Sequence, residues 1–231
     1  MVKCFDVALF ATFANLKGGV GKTTCTILAA NAYSQTPFNL RVALVDCDLQ
    51  KSAVRLRLLD LEDFDGVLPY DVLDWNIPTF EARAQELNDN FDLVLVDVAG
   101  TFDDGILRII NYLDAVYIPV TGGNFGLEAS LSYLREVLAF KAQRDQEGRP
   151  LKVYAFANMQ RERTRNAAFL ADELARVRAY LDVPILSAGL KDLNAYRDAD
   201  TLTTLYSTTP TDPAGLNFSA WIEALYKTFQ R

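Results

Sequence analysis

Short apolar runs alternate along this chain with longer stretches whose apolar residues recur every three or four positions. The runs at 7–14, 41–45, 93–96, 115–120 and 153–157 are rich in Val, Leu, Ile and Ala. They lack the polar alternation of a half-exposed strand, so they predict strands buried on both faces, as in a parallel sheet. A further extended run lies at 183–187, and a weaker one at 68–73. Helical periodicity follows the first run over 22–34. Leu127, Leu131, Leu134 and Leu138 share one face of a helix over 126–144, and Leu170, Leu174, Val177 and Leu181 share one face of a helix over 164–181. Both stripes read as packing against the sheet. Pro213 suits the first turn of a last helix whose inner face carries Phe218, Trp221, Ile222, Leu225 and Phe229. The alternation predicts an α/β fold, a mostly parallel twisted sheet with helices on both faces.

Composition narrows the class. The chain has 231 residues, 50% of them hydrophobic, enough for one well-buried domain over 1–231. No Pro/Gly/Ser linker, internal repeat or low-complexity tract divides it. No apolar stretch reaches the length of a membrane span, and Asp6 interrupts the only early apolar run, which argues against a signal peptide. Cys4, Cys25 and Cys47 are odd in number and lack metal spacing, so reduced thiols and a cytoplasmic location are expected. The absence of histidine removes His metal sites and His acid–base chemistry. The net charge of −7 counts against a broad basic nucleic-acid surface but leaves room for a local patch.

The candidate chemistry centres on Asn15-Leu16-Lys17-Gly18-Gly19-Val20-Gly21-Lys22-Thr23-Thr24. A glycine loop between a strand and a helix is the context of a phosphate-binding loop. Its glycines let backbone N–H groups approach an anion, and the helix N-terminus adds a favourable dipole. Lys22 is positioned by the motif to reach the β- and γ-phosphates of a nucleotide, and the Thr23 hydroxyl to ligate Mg²⁺. The common pattern, G-x-x-x-x-G-K-S/T, would have glycine at position 16, where this chain has Leu16. It has an extra lysine instead, Lys17. Two lysines on one triphosphate look redundant within one chain and make sense if Lys17 serves a second copy across a dimer interface.

Two further strands end in acids. Val42-Ala43-Leu44-Val45-Asp46-Cys47-Asp48-Leu49-Gln50 places two carboxylates one residue apart, and Leu93-Val94-Leu95-Val96-Asp97 ends in a third. Ligand groups gather at the carboxyl ends of strands in open α/β sheets, so all three should reach the crevice of Lys22.

The lysine-rich loop is a deviant Walker A motif, and the chain resembles the ParA/MinD superfamily of dimerising P-loop ATPases along nearly its whole length. Tyr117-Ile118-Pro119-Val120 followed by Phe125-Gly126-Leu127-Glu128 supports the resemblance. The segment from Asp46 resembles the family's Asp-x-Asp-Pro-Gln, with Leu49 in place of proline. The Asp97 strand resembles a Walker B strand. The resemblance implies a single-domain P-loop NTPase with ATP and Mg²⁺ as cofactors. In it, Gly18, Gly19, Val20, Gly21, Lys22, Thr23 and Thr24 hold nucleotide. Thr23, Asp46 and Asp97 support the metal, Asp48 positions the attacking water, and Lys17 acts from the partner subunit. Asn158, at the end of the run 153–157, sits where relatives often read adenine with an Asn. A strand-end Asn is equally a turn-capping residue.

Within the superfamily, short length and Val96-Asp97-Val98-Ala99-Gly100 look most like small plasmid-type ParA partition proteins. These bind ATP, dimerise, bind nonspecific DNA and are released by a ParB-like partner that stimulates slow hydrolysis. Such a protein would be cytoplasmic and nucleoid-associated. DNA-binding candidates are Arg161, Arg163, Arg165, Lys191 and Arg197, with Arg176 and Arg178 further along the helix. The plainer reading is a solvated helix face, since Glu162, Asp172 and Glu173 interleave. The cysteines are misplaced for iron–sulfur relatives, and no basic amphipathic tail follows the last helix as in MinD-like proteins, so no membrane partner is expected. The alternative reading is a P-loop enzyme that uses ATP to activate a small molecule, which requires a substrate pocket beside the γ-phosphate.

Overall fold

The computed structural model describes residues 7–62, 64–122, 124–161, 164–206 and 212–229, with backbone alone for 124–127. Cys4, Asp6, Glu162 and Arg163 lie outside the described residues, as does the side chain of Leu127.

Six strands form one all-parallel sheet: β1 (Leu9–Phe13), β2 (Val42–Asp46), β3 (Asp71–Asp74), β4 (Leu93–Asp97), β5 (Ala115–Val120) and β6 (Lys152–Ala157). Their order across the sheet is β3-β2-β4-β1-β5-β6. Every residue of β1, β2, β4 and β5 is buried, which explains why those strands read as unbroken apolar runs. The register sets Asp46 beside Asp97. Successive strands are added on both sides of β1, so the crevice beyond the carboxyl ends of β1, β2 and β4 is where an open sheet accepts a ligand.

The weak extended stretch forms β3 at its C-terminal end, shifted to 71–74. The run at 183–187 does not make a regular strand. It flanks β6 through one bridge, Ala155 with Ile185, where Ala155 N–H donates to Pro184 O (3.1 Å) and Leu186 N–H donates to Ala155 O (2.9 Å). Pro184 has no N–H with which to extend a ladder.

Two apolar layers cover the sheet. On one face lie α3 (Ile77–Asn90), α4 (Asp104–Ile110), α5 (Asn124–Gln146) and α6 (Arg165–Leu181). On the other lie α1 (Lys22–Ser34), α2 (Ser52–Asp60), α7 (Asn194–Arg197) and α8 (Pro213–Tyr226). The predicted stripes are inside: Leu134, Leu170, Leu174 and Val177 are buried, as are Phe218, Trp221, Ile222, Leu225 and Phe229. Helix starts are capped by side chains that accept orphan N–H groups: Asn76 from Thr79 (2.9 Å), Asp103 from Ile106 (3.1 Å), Thr164 from Ala167 (3.2 Å), and Asp212 from Ala214 and Gly215 (2.8 Å each).

Candidate functional site

The loop from Asn15 to Gly21 is held from beneath by two asparagines. Asn15, fully buried, donates to Pro119 O (2.9 Å) and Ser130 Oγ (2.8 Å), and its Oδ1 accepts the Lys17 N–H (3.1 Å). Asn158, 3% exposed, donates to Val20 O (2.7 Å). Gly19 (φ 73°) and Gly21 (φ 85°) adopt left-handed backbone, and a Cβ on Gly21 would lie 2.8 Å from Asn158 Nδ2. Glycine at 21 is therefore required twice, by backbone angle and by close approach. Gly21 immediately precedes α1, whose first N–H groups have no side-chain cap and face the loop, an anion-binding arrangement.

Lys22, 9% exposed, turns its ammonium back toward Lys17 O (3.4 Å). Burial lowers its pKa, opposed by the charges of Asp97 and Asp48. A Cβ on Gly100 would come within 3.0 Å of the Lys22 Nζ, so the stretch after β4 forms the other wall of the lysine's place.

The Thr23 hydroxyl donates to Asp97 Oδ2 at 2.7 Å. Asp97 is fully buried, and its other oxygen, Oδ1, is buried with no hydrogen-bond partner. Burial raises the pKa of this carboxyl to about 7; the Thr23 hydrogen bond pulls it down, and neighbouring Asp46 and Asp48 push it up. A hydroxyl and an orphaned carboxylate oxygen are hard donors that fit a cation such as Mg²⁺, which binds through few protein ligands plus water and phosphate. Among the described residues no group of three or more His, Cys, Asp or Glu could hold a metal.

Asp46 is also fully buried, but both of its oxygens are engaged by backbone. Oδ1 accepts the Asp48 N–H (3.1 Å), and Oδ2 accepts those of Ala53 (3.0 Å) and Val54 (3.2 Å). It thus fixes the segment carrying Asp48 and anchors the start of α2. Asp48 is half-buried and near enough to Lys22 and Asp97 to act on their charge. Lys51, which the sequence reading passed over, joins this segment to β3: its ammonium donates to Asp46 O (2.7 Å) and Trp75 O (2.8 Å) and pairs with Asp74 (2.8 Å).

Lys17 is half-buried and lines a cleft of about 410 Å³ with Gly19, Thr121, Met159, Arg161 and Asn166. A second, narrower cleft runs along the loop's other side between Thr24, Asn158, Met159, Leu193 and Tyr196. Met159 and Leu193 gave no signal in the sequence, because only the chain's return after β6 brings them to the loop.

The basic candidates do not form one stripe. Arg161 and Arg197 both pair with Asp192, at 2.7 Å for Arg161, and Lys191 stands beside them around one shallow depression. The two arginines hold the Asp192 carboxyl below its usual range. Arg165 is exposed at the first turn of α6, and Arg176 pairs with Glu173 (2.7 Å). Cys25 and Cys47 are buried free thiols. Burial raises the pKa of both, that of Cys47 to about 12.

A nucleotide loop, a Thr–Asp pair beneath it and the strand order define a P-loop nucleotide-binding protein. The model of the CobQ/CobB/MinD/ParA nucleotide-binding domain matches residues 11–199, and the chain belongs to that family. A search of curated protein sequences gave no match. Solved structures share the fold. A plasmid partition protein of Borrelia burgdorferi, solved with AMPPNP, is 16% identical, with a TM-score of 0.69 over 96% of this chain and 99% of that one. MinD of Aquifex aeolicus is 16% identical, with a TM-score of 0.67 over 95% and 98%. A Cyanothece McdA variant in complex with ATP is 16% identical, with a TM-score of 0.66 over 95% and 96%.

Proposed function

We propose that this chain is an ATP-hydrolysing switch that dimerises on ATP and positions DNA or a protein cargo. The observation that carries this reading is the 2.7 Å Thr23–Asp97 contact beneath a loop bearing both Lys17 and Lys22. In this reading Lys22 and the loop N–H groups neutralise the phosphates, and Thr23 and Asp97 hold the Mg²⁺ shell. Mg²⁺ itself supplies charge neutralisation of the β- and γ-phosphates. Asp46 acts through the backbone of its segment, Asp48 orients water, and Lys17 of a second copy adds positive charge where negative charge develops. The narrow cleft beside Asn158 takes the base, with Met159 and Leu193 as its apolar walls. Because the Asn158 amide nitrogen holds Val20 O, its contribution there is to shape the loop, with base contact left to its carboxamide oxygen.

DNA binding is assigned to Arg161, Arg165, Lys191 and Arg197, with release by a ParB-like activating protein. The test is binding to nonspecific duplex at two salt concentrations with ATP, ADP and no nucleotide. Binding that needs ATP and falls steeply with salt supports the reading; binding indifferent to both contradicts it.

The 410 Å³ cleft at Lys17 favours a second reading, an enzyme that activates a small molecule with ATP. It predicts that turnover waits for a metabolite, whereas the switch turns over slowly with ATP alone. Among the described residues no helix is long and apolar enough to cross a membrane.

A further inference from the structure

The chain's charge is segregated. Between Leu58 and Ala82 lie Asp60, Glu62, Asp63, Asp65, Asp71, Asp74 and Glu81, with no Lys or Arg. Removing these seven from the 30 acids leaves 23, equal to the 23 Lys and Arg. Asp74 pairs with Lys51 (2.8 Å), Glu81 pairs with Arg108 and Asp60 accepts from Thr201, which leaves Glu62, Asp65 and Asp71 of the described residues to act on a partner. In the same span, the stretch leading into β3 exposes Val67 (94%) and Leu68 (41%).

The span includes β3, which is four residues long and forms one edge of the sheet. Between β3 and the flank of α3 runs a groove of about 510 Å³, with Leu68, Leu73, Trp75, Leu87 and Phe91 along it. The bases at its rim are already engaged: Arg41 pairs with buried Asp92 (3.2 Å), and Arg83 pairs with Glu86 (2.6 Å) and lies over the Trp75 ring. Acids on an edge strand guard against self-pairing, but that role does not account for the apolar side chains exposed beside them.

We propose that this edge is a docking surface for another protein, and that the segment it takes is extended, rich in Lys and Arg, and carries apolar side chains at alternate positions. The edge of β3 supplies main-chain pairing, the groove takes alternate side chains, and Asp71 at its lining, with Glu62 and Asp65 in the stretch before it, selects a basic partner. The surface shares no residue with the phosphate loop. Binding should not need nucleotide, so failure here leaves the switch reading intact.

The probe is a fluorescent peptide of alternating Lys and Val, roughly eight residues, a usual strand length. Two controls replace every Lys by Glu, or every Val by Ser. The full chain should bind the Lys/Val peptide at least about tenfold more tightly than either control, and hydrogen exchange should slow at those amides within 72–74 that point away from β2. Asp65→Lys with Asp71→Lys should weaken binding by about tenfold or more. Val67→Ser, at a side chain too exposed to matter for folding, should weaken it as well. Three results overturn the proposal: no binding; equal binding of the Lys/Ser peptide that ignores these substitutions; or protection of 72–74 in the free protein that grows with its concentration, which would make a second copy the occupant.

Discussion

The Thr23 hydroxyl reaches from the first turn of α1 to the Asp97 carboxylate at the end of β4, joining two segments 74 residues apart in sequence. The bond leaves the second Asp97 oxygen buried and without a partner. Thr23→Val and Asp97→Asn should each lower Mg²⁺-dependent turnover by about 10²-fold or more, while both proteins fold. Steady-state ATPase assays across a Mg²⁺ titration read this directly, and wild-type turnover in either variant would remove the pair from the site.

The same burial sets a pH dependence. A carboxyl raised to about 7 in the folded chain holds a proton that the unfolded chain releases near its ordinary value of 3.8. Stability from this group is therefore full below that ordinary value and is lost as pH rises through about 7. Without metal, the wild type should lose more stability than Asp97→Asn between those limits, and its Mg²⁺ affinity should rise with pH over the same window. Parallel denaturation curves of the two proteins across that range would contradict the assignment.

Two glycines of the loop should separate cleanly. Gly21→Ala forces a side chain into left-handed backbone and against Asn158, at a cost of about 1–2 kcal/mol for the backbone alone. Gly18 has ordinary backbone, and an added Cβ would meet nothing within 4 Å. Thermal melting midpoints should fall by about 2–8 °C for Gly21→Ala and by no more than about 1 °C for Gly18→Ala.

Arg57 is 5% exposed, and its guanidinium donates to Thr201 Oγ1 (2.8 Å), Thr201 O (3.0 Å) and Tyr70 O (3.0 Å). Asp60 of the same helix accepts from the Thr201 N–H (2.7 Å) and hydroxyl (2.6 Å). Arg57→Ala strands these carbonyls and should cost about 2–3 kcal/mol in chemical denaturation. An unchanged midpoint would show that α2 does not rely on this clamp.

Asp192 stands between Arg161 and Arg197 and neutralises part of the basic patch. If that patch carries DNA, Asp192→Asn should tighten ATP-dependent duplex binding severalfold and steepen its salt dependence. Arg161→Ala should do the reverse. Binding unmoved by either change would place the DNA contact elsewhere.

Five of the six strands, and the placing of Asp46, Asp48 and Asp97 at the ends of strands near the glycine loop, were legible because each is local: a motif or an unbroken apolar run. Helices α3 and α4 were legible in principle, since Asn76 with Pro78 and Asp103 are start signals and Phe80, Ala84 and Leu87 form a stripe. Helix α2 was not, because its buried positions are Ala53 and Arg57, which make no apolar pattern. The bond from Asn158 to Val20 and the pairing of Arg161 with Asp192 are tertiary facts. No spacing within the chain encodes them.

The most direct test of the switch is to mix two inactive variants. Lys17→Ala and Asp48→Ala are each expected to bind ATP and to turn over at least about 10²-fold more slowly than wild type. In a mixed dimer, the site of the Lys17→Ala subunit keeps its own Asp48 and receives Lys17 from the partner. An equimolar mixture should therefore recover roughly a quarter of wild-type turnover, since random pairing makes half the dimers mixed and each has one complete site. No recovery on mixing, with both variants folded and binding ATP, would contradict action of Lys17 across a dimer and with it the account of this chain as a dimeric ATP switch.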